Sequence, residues 1–218
     1  CHAAATSRGW LVTRMATEHP NILWIMTDQQ FAGAMRCAGE IDVKTPAMDW
    51  LAKQGVRFER AYCSQPLCVP SRTSMMTGLM PTDNGVTYNT SKGPVEGESI
   101  GRLVKEAGYD TGYFGKWHVP HNIEDIEWSG FEESLLSNKG TDIHDTEIVD
   151  PCRDFIQADR DKPFFCVASF HNPHDICEYA RIAEYGTDHL WNGDIGEVPD
   201  ASLCPPPLLN ADKPIGEP

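Results

Sequence analysis

The sequence predicts an α/β fold, a mostly parallel sheet with helices on both faces. Three observations carry this. Apolar runs at residues 21–26, 109–114 and 164–170 have strand length, and each ends abruptly in polar residues. Helical patterns lie between them, beginning near Thr45, Ser99 and Asp145. Strands that alternate with helices build a parallel sheet, and right-handed crossovers put the strand ends on one edge. Asp28, Lys116 with His118, and His171 with His174 would then converge there.

In chain order, Ile22-Leu23-Trp24-Ile25-Met26 follows Pro20 and reads as a strand buried on both faces, ending at Thr27-Asp28-Gln29-Gln30. Thr45 is the expected cap of the next helix, with Pro46 at its first position and Gly55 closing it. Met48, Leu51 and Ala52 form its apolar stripe. Val56, Phe58 and Tyr62 alternate, which predicts a short strand feeding the segment around Cys68. There Ser71 or Thr73 would cap a helical run that Gly78 stops. A second helix, with Ile100, Leu103, Val104 and Ala107 on its stripe, ends at Gly108. The strand at 109–114 runs into Gly115-Lys116-Trp117-His118. Residues 119–144 read as mixed and loop-rich. A third helix spans about 145–158, with Ile148, Val149, Cys152, Phe155 and Ile156 inward and Pro151 in its first turns or kinking it. Pro163 opens the last strand, which ends at His171-Asn172-Pro173-His174-Asp175.

Composition narrows the function classes. The chain has 218 residues and a formal net charge of -14, which argues against a nucleic-acid partner. No apolar run is long enough to span a membrane. An enzyme of anionic esters would need local positive charge set against this field. The eight cysteines show no Cys-x-x-Cys pair and no zinc spacing, and several sit in apolar runs as small hydrophobes. A reduced interior is the simpler reading. The chain begins with Cys1. Residues 1–14 read poorly as a signal peptide, and a start at Met15 would make the protein cytoplasmic.

The chemistry centres on Cys68-Val69-Pro70-Ser71-Arg72. A cysteine at a helix start lies near unpaired N–H groups that favour negative charge, and Arg72 adds a fork of donors suited to an oxyanion. One route is a plain thiolate nucleophile. A phosphatase-type cysteine loop wants five residues between Cys and Arg, where this chain has three. The third route is a resemblance. Cys68-x-Pro70-Ser71-Arg72 followed by Thr77-Gly78 resembles the sulfatase signature, in which the cysteine is oxidised to formylglycine. The resemblance extends to Ile25-Met26-Thr27-Asp28-Gln29-Gln30, to Gly112-Tyr113-Phe114-Gly115-Lys116-Trp117-His118 and to Pro173-His174-Asp175. The family is the type I sulfatases of the alkaline phosphatase superfamily.

That resemblance implies roles. Asp28 and Gln29 would bind a calcium or magnesium ion, and Cys68, as formylglycine, would be nucleophile and ligand. Arg72 would hold the formylglycine, Lys116 would contact the sulfate, and His118 and His174 would move protons and orient the ester. The substrate would be a small-molecule or glycan sulfate ester, and a maturation enzyme would convert Cys68. Many sulfatases carry a second aspartate where this chain has Gln29, whose amide oxygen still suits a hard cation. Relatives with Asp-Gln include phosphonate monoester hydrolases, so a phosphonate or phosphodiester hydrolase is the alternative, and a non-catalytic fragment a third. The family's second ligand pair has only a superficial match at Asp188-His189. The expected organisation is an N-terminal extension at 1–19, disordered; the amino-terminal part of a sulfatase-like domain at 20–190; and a Pro-rich extended segment at 191–218. The fold would be incomplete at its carboxyl end, with a sheet edge left open for missing strands.

Overall fold

The computed structural model describes residues 19–39, 43–137 and 145–177. The expectations for residues 1–18 and 191–218, and the Asp188-His189 match, lie outside them.

Four parallel strands form one sheet in the order β1-β4-β2-β3. They are β1 (Ile22–Asp28), β2 (Asp110–Gly115), β3 (Glu133–Leu136) and β4 (Phe164–Pro173). The last strand among the described residues, β4, lies inside the sheet because its run of apolar residues has neighbours on both edges and both faces. Its side chains alternate accordingly. Phe165 and Val167 join Met26, Met76, Tyr113, Trp117 and Phe131 on one face, while Phe164, Cys166 and Ala168 join Phe114, Ile148, Cys152 and Phe155 on the other.

Helices cover both faces. The helix α6 (Asp145–Gln157) follows α1 (Pro46–Gln54), α2 (Cys68–Thr77), α3 (Pro81–Asn84), α4 (Ile100–Glu106) and α5 (Ile126–Ser129). Ile148, Cys152 and Phe155 of α6 are buried, and the helix runs through Pro151 without ending. Val149, expected inward, is 44% exposed. Cys152 and Cys166 meet in this layer with Sγ atoms 3.5 Å apart. On the other face Met76 of α2 and Ile100 and Val104 of α4 pack on the sheet, while Leu103 points outward. Ser99 caps α4, its hydroxyl accepting from the Gly101 N–H at 3.2 Å and donating to the Ser129 carbonyl at 3.0 Å.

Several expectations are corrected. Among the described residues β1 is an edge strand, not one buried on both faces, and Ile25 is 52% exposed. Val56, Phe58 and Tyr62 form no strand; the backbone there is irregular and all three side chains are exposed. Alternation predicts a strand only where a neighbouring strand supplies hydrogen bonds, and none of the described residues does so. Leu51 is likewise exposed, and α1 has no buried residue. Thr45 occupies the cap position of α1, but its hydroxyl binds the Arg36 N–H and Asp49 instead of capping. Neither Ser71 nor Thr73 caps α2. The helix starts at Cys68 after Leu67, and Asn89 Oδ1 accepts from the Val69 N–H at 3.0 Å. Gly78 ends it in the left-handed region as expected. Residues 119–144, read as mixed and loop-rich, hold the short elements α5 and β3.

Candidate active site

The register of the sheet sets the site. Met26 and Gly115 both pair with Ser169, so β1, β4 and β2 reach this level together. Past it, Asp28 stands two residues on in β1 and Lys116 one residue beyond β2. The β1–β4 register shifts between Met26 and Asp28, so that Asp28 faces Pro173, next to His174. Helix α2 brings Cys68 at its first position and Arg72 one turn later.

Asp28, Arg72 and Lys116 are all buried, at 8%, 5% and 5% exposure. The Lys116 ammonium lies 2.7 Å from Asp28 Oδ2, and Arg72 Nη2 lies 3.0 Å from the same oxygen. Burial pushes the Asp28 carboxyl up, but the two cations outweigh it and hold the group below the ordinary aspartate range. Two cations against one carboxylate leave this buried cluster net positive, which answers the charge problem posed by the acidic chain. Arg72 Nη1 donates to the Lys116 carbonyl at 2.6 Å and to Ser169 Oγ at 2.8 Å. No hydrogen bond joins Arg72 to Cys68 among the described residues.

Asp28, Cys68 and His174 each place one ligand atom within 4.8 Å of the others. Burial and the Lys116 ammonium push His174 below its ordinary value, which favours the neutral imidazole. His171 is placed elsewhere: its ring bonds the Ser137 carbonyl and its N–H donates to Asp145 Oδ1. His118, two residues past Lys116, is half-buried and lies outside the Asp28–Cys68–His174 group. Gln29 and His118 both have positive φ, 61° and 52°. Side chains other than glycine and asparagine rarely adopt that region, and such residues cluster where the surrounding structure over-determines them. A cleft beside Cys68 is lined by Asp28, Gln29, Arg72, Phe31, Leu67 and Met75, among others.

The donors suit a hard divalent cation in part. Lys116 and Arg72 both engage Oδ2 of Asp28, and no partner of Oδ1 is found among the described residues. That oxygen, the Gln29 amide and an oxygen function at position 68 would hold calcium or magnesium. They supply fewer than the roughly six to eight oxygens that calcium takes.

Sequence reasoning missed two residues, Ser169 and Tyr113. Both bond the Lys116 carbonyl. Ser169 carried a signal, a lone hydroxyl in an apolar strand at 164–170.

The layered parallel sheet, with its site at the carboxyl ends of the strands, defines an α/β domain. The sulfatase family profile matches residues 20–189, most of the chain. The chain belongs to the sulfatase family. An ulvan-active sulfatase of Formosa agariphila is 32% identical over 71% of this chain and 35% of that protein. The N-acetylglucosamine-6-O-sulfatase of Bacteroides thetaiotaomicron is 30% identical over 72% of this chain and 31% of that protein. A solved protein in complex with its substrate, D-glucosamine-2-N,6-O-disulfate, superposes with a TM-score of 0.63 at 30% identity, covering 72% of this chain and 35% of that one. The phosphonate monoester hydrolase of Agrobacterium radiobacter, at 21% identity and a TM-score of 0.58, shares the fold over 72% of this chain and 41% of that one. The chain thus spans about a third of the length of the curated relatives it matches.

Proposed function

We propose that the whole protein hydrolyses sulfate monoesters of carbohydrates, with Cys68 converted to formylglycine as the nucleophile. The observation that carries the reading is the convergence of Lys116 and Arg72 on buried Asp28, beside Cys68 and His174. A sulfate ester needs charge neutralised on its non-bridging oxygens, an aligned nucleophile and a protonated leaving group. Lys116, the second cation on Asp28, is assigned to the sulfate. Arg72 fixes Asp28 and holds α2, and with it position 68, against the strand ends. The neutral imidazole favoured at His174 suits it to accept and return a proton at the ester. His118 is assigned to the leaving-group side. A calcium or magnesium ion held by Asp28, Gln29 and position 68 would neutralise charge on the sulfate. The carbohydrate assignment rests on relatives named for ulvan and N-acetylglucosamine 6-sulfate and on the neighbour bound to a glucosamine disulfate.

The test is release of inorganic sulfate from glucosamine sulfates and an aryl sulfate by the whole protein, with an aryl phosphonate in parallel. Sulfate release that is lost in Cys68→Ala is expected. Turnover of the phosphonate alone would replace this reading with the phosphonate hydrolase, and sulfate release undiminished in Cys68→Ala would remove the nucleophile.

A further inference from the structure

The main-chain carbonyl of Lys116 accepts three hydrogen bonds. Tyr113 Oη donates at 2.6 Å, Arg72 Nη1 at 2.6 Å and Ser169 Oγ at 2.8 Å. A carbonyl oxygen has two lone pairs, so this acceptor is more than filled. The donors are linked, because the same Arg72 Nη1 also donates to Ser169 Oγ at 2.8 Å. The other side of the residue is held too, since the Lys116 N–H donates to the Ser169 carbonyl at 2.9 Å. Before it, Gly115 has φ +108°, and a Cβ there would lie 2.0 Å from the Ser169 carbonyl oxygen. After it, His118 has φ 52°. The hub on the Lys116 carbonyl ties down the main chain between these two positions.

We propose that Tyr113 and Ser169 are positioning residues for sulfate ester hydrolysis, acting through the Lys116 carbonyl. The proposal rests on the functional reading above and goes beyond it. Neither side chain lines the cleft, and both are buried, at 1% and 0% exposure. They touch no substrate. Their hydroxyls fix the main chain from which the Lys116 ammonium reaches Asp28 and from which His118 projects two residues later. Ser169 also holds the Arg72 guanidinium at the angle that puts Nη2 on Asp28. The hub thereby sets both cations from one point. Packing alone does not explain the tyrosine. Its ring meets Trp117 and Phe131 edge-on at 5.0 and 5.1 Å, and phenylalanine would keep those contacts. The hydroxyl is what the hub adds.

The experiment uses the whole protein, converted at Cys68, as Tyr113→Phe, Ser169→Ala, the double variant and Ser169→Thr. A misplaced cation affects the transition state more than ground-state binding, so kcat should fall about 10- to 100-fold in each of the first two, with KM within about twofold. Because both hydroxyls act on one carbonyl, the double variant should lose much less than the product of the single losses. Ser169→Thr keeps the hydroxyl and should recover most of kcat. A crystal structure of Tyr113→Phe supplies a readout that needs no turnover, and should show Lys116 Nζ moved out of hydrogen-bond distance of Asp28. Unchanged kcat in both single variants, or losses that multiply, would overturn the proposal, as would an unmoved Lys116 in Tyr113→Phe. Wild-type protein that releases no sulfate would sink the sulfatase reading instead, and the hub would then stand or fall on that crystal structure.

Discussion

Lys116 carries two separate jobs, one in its side chain and one in its backbone. The ammonium pairs with Asp28 within the buried cluster, and in the proposed reaction it is the cation offered to the ester. Lys116→Ala in the whole protein should therefore lower kcat by about 10²-fold or more, the usual cost of losing a group that acts in the transition state. Near-normal turnover measured on folded Lys116→Ala would remove it from the site. Gly115 serves the backbone job. A Cβ at this residue would need both a left-handed backbone and room that the Ser169 carbonyl occupies. Gly115→Ala should cost about 3 kcal/mol or more of stability, measured by denaturant unfolding. A loss below about 1 kcal/mol would mean that the strand ends give way easily. Residues of this kind were legible in sequence because they sit in short contiguous motifs of unusual chemistry. The contacts of Tyr113 and Ser169 were not, although both stand in stretches the sequence marks, because their partner is a main-chain carbonyl. No spacing of side chains reports where a carbonyl points.

Among the elements, β4 and α6 carry the far side of the site. Asp145, in the first turn of α6, accepts from the main-chain N–H groups of His171 and Asn172 at 2.6 and 2.8 Å, and from Asn172 Nδ2 at 3.0 Å. It ties the end of β4 just before His174. Removing a charged acceptor from several donors costs roughly 1.5–3 kcal/mol. Asp145→Ala should lower stability by about that much and also lower kcat, since the segment bearing His174 loses its anchor. Full activity at unchanged KM in the variant would show that His174 is placed by other contacts. The three long strands and helices α1, α4 and α6 were legible from apolar period and length, while the one-turn helices α3 and α5 were not. β3, with only four residues and none of them buried, was not. The start of α2 was misread for a related reason. Its cap is the side chain of Asn89, which arrives from a loop distant in sequence.

At the scale of the whole molecule, β1 has a strand neighbour on one edge alone among the described residues. Ile22, Leu23 and Ile25 are exposed along it, and Phe58 and Tyr62 stand 78% and 87% exposed in the irregular segment before α2. An unpaired, apolar strand edge is a template for pairing with another chain. This 218-residue chain should therefore associate as its concentration rises, seen by light scattering, and Ile25→Lys should reduce the association. A monomer at every concentration would show that the edge is protected. The expectation that β1 is buried on both faces failed here for a physical reason. Its apolar sequence asks for cover, and the described residues supply it on one edge alone.

Everything proposed for the chemistry depends on what atom position 68 carries. Arg72, Asp28 and the start of α2 are arranged around that position, and the sulfatase reading requires an aldehyde there instead of a thiol. The direct measurement is the mass of the peptide holding Cys68, taken from whole protein made together with a formylglycine-generating enzyme. Cleavage after Arg60 and Arg72 releases a peptide that also contains Cys63, so fragment ions must separate the two. The account predicts that position 68 has lost its sulfur and two hydrogens and gained one oxygen, while Cys63 is unchanged. An intact thiol at Cys68 in every molecule would contradict it.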